Sequence, residues 1–187
     1  PAPPASVAWQ AAAEGRDAEE QIEFSWAGET ARHVGTVVHR WLQRIAEDEL
    51  KGWNAERVES LRPNFERDLH RRGVNAPGAA ADLVVAALKN TLADERGRWL
   101  LGPHPEARSE YRLRTAARGF VIDRLLRDKE GRRWVVDFKT SRHEGANVEA
   151  FLDQERRRYA AQLDAYAAAL GGANRGLYFP LHSGWRA

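Results

Sequence analysis

Apolar residues recur every three or four positions through the first half of the chain, and then the period shortens to two. Val38, Trp41, Leu42 and Ile45 make one stripe and predict a helix over 36–50, with Gly52 as its stop. Val58, Leu61, Phe65 and Leu69 share a face and place one or two charged amphipathic helices over 54–72. NAPG at 75–78 predicts a break. Leu83, Val84, Ala87, Leu88 and Leu92 then predict a helix over 79–96. Segments 106–115, 117–127 and 132–140 read as strands. A helix over 147–170, closed by Gly171-Gly172, and a strand over 175–182 follow. Pro180 marks the edge or the end of that last strand. Ahead of these elements, IEFSWA at 22–27 reads as a short extended piece, and residues 1–20, opening PAPP, as a linker.

Helices, three strands, a helix and a strand in that order predict an α/β or α+β domain with a mixed sheet. At 187 residues the chain suits one domain with a real core. The absence of cysteine excludes disulfides, thiolate zinc sites and iron–sulfur clusters, so any metal must use oxygen and imidazole ligands. No run of about 18 apolar residues predicts a membrane span, and no secretory pattern opens the chain. The chain holds no methionine and begins on proline, which leads us to expect a piece of something longer.

Net charge is only +2, weak evidence for an anionic partner. Its distribution says more: Arg112, Arg114, Arg118, Arg124, Arg127, Arg132, Arg133 and Arg142 gather around the central strands, and Arg156, Arg157 and Arg158 follow. Charge alone does not choose between a solvated surface and a binding track.

The stretch WVVDFKTS, 134–141, carries the chemistry. Trp134, Val135, Val136 and Phe138 favour a buried strand, yet Asp137 and Lys139 point together to one of its faces. The preceding turn, DKEG at 128–131, sets the register. With Lys129-Glu130-Gly131 as a three-residue loop and Gly131 left-handed, Asp128 pairs with Arg132, and counting back puts Asp123 opposite Asp137. Opposed residues lie roughly 4.5–5.5 Å apart at Cβ. Two buried carboxylates there repel each other, and a divalent cation between them reverses the sign. Magnesium or manganese suits such hard ligands. The competing structural reading pairs Asp123 with a nearby arginine, and a slip of one residue would separate the two carboxylates.

GFVID at 119–123, a hairpin and then DFK at 137–139 resemble the PD-(D/E)xK nuclease signature. GTVVH at 35–39 opens a helix upstream, and YAAQLDAY at 159–166 lies on the next helix downstream. Together the four motifs resemble the RecB-type nuclease domain of bacterial helicase–nucleases of the RecB and AddA kind, and the closing GLYFPLHSGW is similar to the end of AddA-like chains. The resemblance covers roughly residues 33–185, and we expect a linker or N-terminal extension over 1–30 and the nuclease domain over 31–187.

The resemblance implies an α/β restriction-endonuclease-like core, a mixed central sheet flanked by helices, with an added N-terminal helical layer. It implies that Asp123, Asp137, His39 and the backbone carbonyl of Phe138 hold Mg²⁺, with Mn²⁺ as a substitute. Lys139 would act beside the attacking water, and Tyr159 and Gln162 would position site and DNA. Glu110, in RSEYRLR, is the weakest candidate and would tune the site from behind or simply pair with an arginine. Geometry adds that Tyr159, Gln162 and Tyr166 share a helix face, while His39, beside Leu42, has packing as its commoner explanation. The implied partners are DNA, as single-stranded ends delivered by a helicase, the rest of the parent chain and a second subunit. The implied setting is the bacterial cytoplasm, in DNA end processing and recombinational repair. The alternatives are a catalytically inactive binding or docking domain of the same fold and a free-standing exonuclease.

Overall fold

The computed structural model describes residues 14–114, 119–143 and 145–187, with side chains from Gly28 onward. The PAPP opening therefore lies outside the described residues, as does the link expected between the first two strands. Helix α1 spans Glu14–Glu47. It begins more than twenty residues before the predicted start, so 22–27 is helical rather than extended and the expected linker is helix from Glu14. It ends in a turn where Glu49, Leu50 and Gly52 all adopt positive φ.

The charged stretch divides into α2 (Ala55–Ser60) and α3 (Arg62–Arg71), with Val58, Phe65 and Leu69 fully buried as their spacing requires. Asn54 caps α2 through Arg57 N–H, and Pro63 stands in the first turn of α3. The predicted helix over 79–96 is two helices, α4 (Pro77–Ala93) and α5 (Glu95–Leu101). Asp94 divides them: its backbone is extended and its carboxylate accepts the Gly97 N–H at 2.8 Å.

Five strands form one mixed sheet in the order of the chain: β1 (Arg108–Arg114), β2 (Gly119–Arg127), β3 (Arg133–Phe138), β4 (Asn174–Phe179) and β5 (Gly184–Arg186). Only β3 and β4 are parallel, and α6 (Val148–Ala169) makes the crossover between them. Pro180 follows the end of β4, and the three-residue β5 pairs on its far side, so β4 is an inner strand. This is the expected α/β class, a mixed sheet with helices on both faces.

The two faces have separate cores. Trp134, Val136, Phe138 and Leu126 pack against the α1–α5 layer, while Val135, Leu125, Leu177 and Phe179 pack with α6 residues Leu152, Leu163 and Tyr166. The strand β3 thus divides as its alternation predicts.

The hairpin register is also the predicted one. Asp128 N–H donates to Arg132 O at 2.9 Å, Gly131 sits at φ +77°, and Leu126 lies opposite Trp134 and Arg124 opposite Val136. Several central arginines belong to the fold. Arg127 holds Glu106, Arg132 holds Asp128, and Arg133 donates to Leu170 O.

Candidate active site

The ladder between β2 and β3 stops at Arg124–Val136, one step short of Asp123 and Asp137. A side chain takes over from the backbone there. Asp123 Oδ2 accepts the Phe138 N–H at 2.7 Å, and the strands splay. The alternation of β2 slips at the same point, because Ile122 and Leu125 reach the same α6-side core although they are three residues apart. Across from Asp123, between the pairs Ser109–Arg124 and Tyr111–Ile122, stands Glu110 with φ +49°. A non-glycine residue in that region is uncommon.

The slip brings both carboxylates within reach of His39 on α1. His39, Glu110 and Asp123 each offer a ligand atom within 4.8 Å of the other two. His39 Nδ1 is 3.5 Å from Asp123 Oδ1, and Nε2 is 2.9 Å from Phe138 O. With Nε2–H donating to that carbonyl, Nδ1 faces the Asp123 carboxylate and donates to it when the imidazole is protonated.

Asp137 stands outside this trio, on the α6 side. Its Oδ1 accepts from Gln162 Nε2 at 3.3 Å, and Gln162 Nε2 lies 2.6 Å from Tyr166 Oη. Lys139 Nζ lies 2.5 Å from Asp137 Oδ2 and 3.8 Å from the centre of the Tyr159 ring. Ser141, two residues further, donates to the buried Glu155 at 2.8 Å. Residues 137, 139 and 141 are thus met in turn by Gln162, Tyr159 and Glu155, which lie on one face of α6. Gly35 of α1 closes the other side, since a Cβ there would come within 2.9 Å of Thr140 Oγ1.

Electrostatics set these groups against each other. Burial, then the Asp123 carboxylate, pushes the Asp137 carboxyl up, and the attraction of Lys139 only partly offsets them. Glu110 is raised for the same two reasons, burial and then Asp123. Burial draws His39 down, but the hydrogen bond and charge of Asp123 outweigh it and hold the imidazole above its ordinary value. Burial also lowers Lys139, and Asp137 more than reverses that, so the ammonium stays charged at neutral pH.

Apart from the ammonium, buried Asp137 Oδ2 has no hydrogen-bond partner. A buried carboxylate oxygen met only by one ammonium, beside two more carboxylates and an imidazole, suits a hard divalent cation.

The structure therefore gathers His39, Asp123, Asp137, Lys139, Tyr159 and Gln162 into one place, together with the Phe138 carbonyl, which is engaged by His39. Glu110, expected behind the site or in an arginine pair, stands within it among the possible ligands. Nothing in the residue pattern announces a positive φ at a glutamate, so its position was not readable. Glu155 was also missed, although its spacing of four from Tyr159 continues the same helix face.

A family model described as the PD-(D/E)XK nuclease superfamily matches residues 9–181. No individually curated protein matches the chain.

Proposed function

The chain belongs to the PD-(D/E)XK nuclease superfamily, and from that premise we propose that it is a Mg²⁺-dependent deoxyribonuclease, the nuclease domain of an AddA/RecB-like helicase–nuclease. The observation that carries the reading is the convergence of three acids, one imidazole and one lysine from α1, β1, β2 and the end of β3, with a buried oxygen of Asp137 met by the lysine ammonium alone among the described residues. A stability role does not explain it, because neighbouring carboxylates repel and burial makes the repulsion larger. The GTVVH, GFVID, DFKT and YAAQLDAY motifs support the helicase–nuclease context, and with it DNA ends as substrate and a cytoplasmic role in end processing and repair.

Asp123, His39, Glu110 and Asp137 would hold the cation, with the Phe138 carbonyl as a further candidate. Bound there, Mg²⁺ or Mn²⁺ would polarise the scissile phosphate and lower the pKa of a water. The protein's own groups do the rest. Gln162 fixes the rotamer of Asp137 through Oδ1. The ring of Tyr159 and the Asp137 carboxylate hold the Lys139 ammonium in place, where it offsets charge that develops on the attacking oxygen and the phosphate.

Incubation of the purified protein with linear single-stranded DNA tests the reading. Cleavage is expected with Mg²⁺ or Mn²⁺, to be abolished by EDTA and reduced by several orders of magnitude in Asp137→Ala. Equal activity in that variant removes the assignment.

A further inference from the structure

Immediately after Asp123 the chain buries a cation that has no counter-ion among the described residues. Arg124 is only 3% exposed. Its guanidinium donates to Leu100 O at 2.9 Å, Gly102 O at 3.0 Å and Ser109 Oγ at 3.1 Å. No carboxylate among the described residues pairs with it, and burial against neutral oxygens draws it down to about 10, still cationic at neutral pH.

A buried charge of this kind is poor economy for stability, since an apolar side chain of similar volume often does as well or better. What a guanidinium supplies is direction: a rigid planar fork whose donors fix its position against several acceptors at once. The acceptors lie in informative places. Leu100 and Gly102 are the end of α5 and the residue beyond it. Ser109 stands directly opposite Arg124 on β1. Its neighbour is Glu110, as the neighbour of Arg124 is Asp123.

We propose that Arg124 is a positioning residue for the metal site, locking the strand that holds Asp123 to the strand that holds Glu110 from the α5 side of the sheet. The inference rests on the metal-site reading above. At this step the alternation of β2 slips and Glu110 adopts its positive φ. The Phe138 N–H ties Asp123 to β3, but two carboxylates that repel each other have no bond that joins Asp123 to Glu110. With the backbone departing from regular pairing, the fork anchored on α5 is what fixes the pair before a cation arrives. Preorganised partners behind ligands are commonly worth about 10–100-fold in metal affinity.

The test is calorimetric titration of Mn²⁺ into DNA-free protein, with metal-free melting temperature measured beside it. Arg124→Met should weaken Mn²⁺ binding about tenfold or more. Arg124→Lys, a point charge without the fork, should fall between it and wild type. Ser109→Ala removes only the link to β1, so it should weaken binding a few-fold with little change in melting temperature. Leu88→Ala, in the helical layer away from the site, should lower the melting temperature and leave Mn²⁺ binding unchanged.

Unchanged Mn²⁺ affinity in Ser109→Ala and in whichever Arg124 variant folds overturns the positioning role alone. Weakening in Leu88→Ala as large as in Arg124→Met overturns it too, since loss of stability then explains the effect. Wild type that binds no Mn²⁺ overturns the metal-site reading itself, and this inference with it.

Discussion

The hairpin of β2 and β3 buries an aspartate near each end, and the two are treated in opposite ways. At the turn, Asp128 accepts from Arg132 N at 2.8 Å, Arg132 Nε at 2.7 Å and Trp134 Nε1 at 2.9 Å. Burial alone would raise its carboxyl, but these donors overcome it and hold it at about 2. At the splayed end Asp137 is buried to the same degree, 4% exposed against 5%. One of its oxygens meets the Lys139 ammonium alone among the described residues, and its carboxyl is raised. The same residue type, buried alike on one hairpin, is a fastener where donors converge and a liability where acids converge. Folding explains the first. The second makes sense only if positive charge beyond the Lys139 ammonium is supplied.

The largest expected effect separates the two by function. Asp137→Asn should lose at least about a thousandfold in cleavage rate, as the loss of a central electrostatic group does. Its metal-free melting temperature at pH 7 should rise, because removing the charge relieves burial and the Asp123 repulsion, which outweigh Lys139. Asp128→Asn should do the reverse, keeping cleavage within about twofold and losing several degrees of melting temperature. If both variants lose stability alike, the contrast between fastener and liability fails.

Melting against pH sharpens the contrast. Asp128 is depressed in the folded state, so the stability it contributes is present above its unfolded value near 4 and is lost as pH falls toward about 2. Asp128→Asn should therefore differ from wild type at neutral pH and converge with it in acid. Asp137 is raised. What it contributes is present below about 4 and is lost as pH climbs through the folded value in metal-free protein. Asp137→Asn should accordingly be the more stable protein at neutral pH and converge below about 4. Saturating Mg²⁺ should erase that advantage. Slopes of the same sign for the two variants contradict the assignment.

The turn end was readable from the sequence, and the splayed end only in part. A three-residue loop closing on glycine has few geometries, so Gly131 fixed the pairing of Asp128 with Arg132 and carried the register to Asp123 and Asp137. Strict alternation then predicted that two carboxylates on one face would define the site. The slip at Asp123 redistributes them instead, grouping Asp123 with Glu110 and His39 and leaving Asp137 to Lys139 and Gln162. Such a departure depends on tertiary partners, above all the anchoring of Arg124, and no local propensity encodes it. The same holds for α1 and β5. Gly28 and the β-branched and aromatic residues near the start of α1 weaken the helix signal, and three residues are too few to show a period of two. Asp94 was the exception, a cap visible in the sequence and passed over.

The smallest effect tests how closely the helical layer is fitted to the catalytic strand. Gly35 lies inside α1, where alanine would ordinarily gain about 1 kcal/mol. A Cβ there, however, comes within 2.9 Å of Thr140 Oγ1, tighter than normal contact, and the hydroxyl sits on a side chain that can rotate away. Gly35→Ala should therefore leave the melting temperature nearly unchanged, propensity offsetting the crowding. Cleavage should fall a few-fold, because Thr140 is the neighbour of Lys139 and its displacement moves the ammonium against Tyr159. A gain in stability with no loss of activity would show that the glycine merely makes room, and that the two layers meet here without any bearing on the position of Lys139.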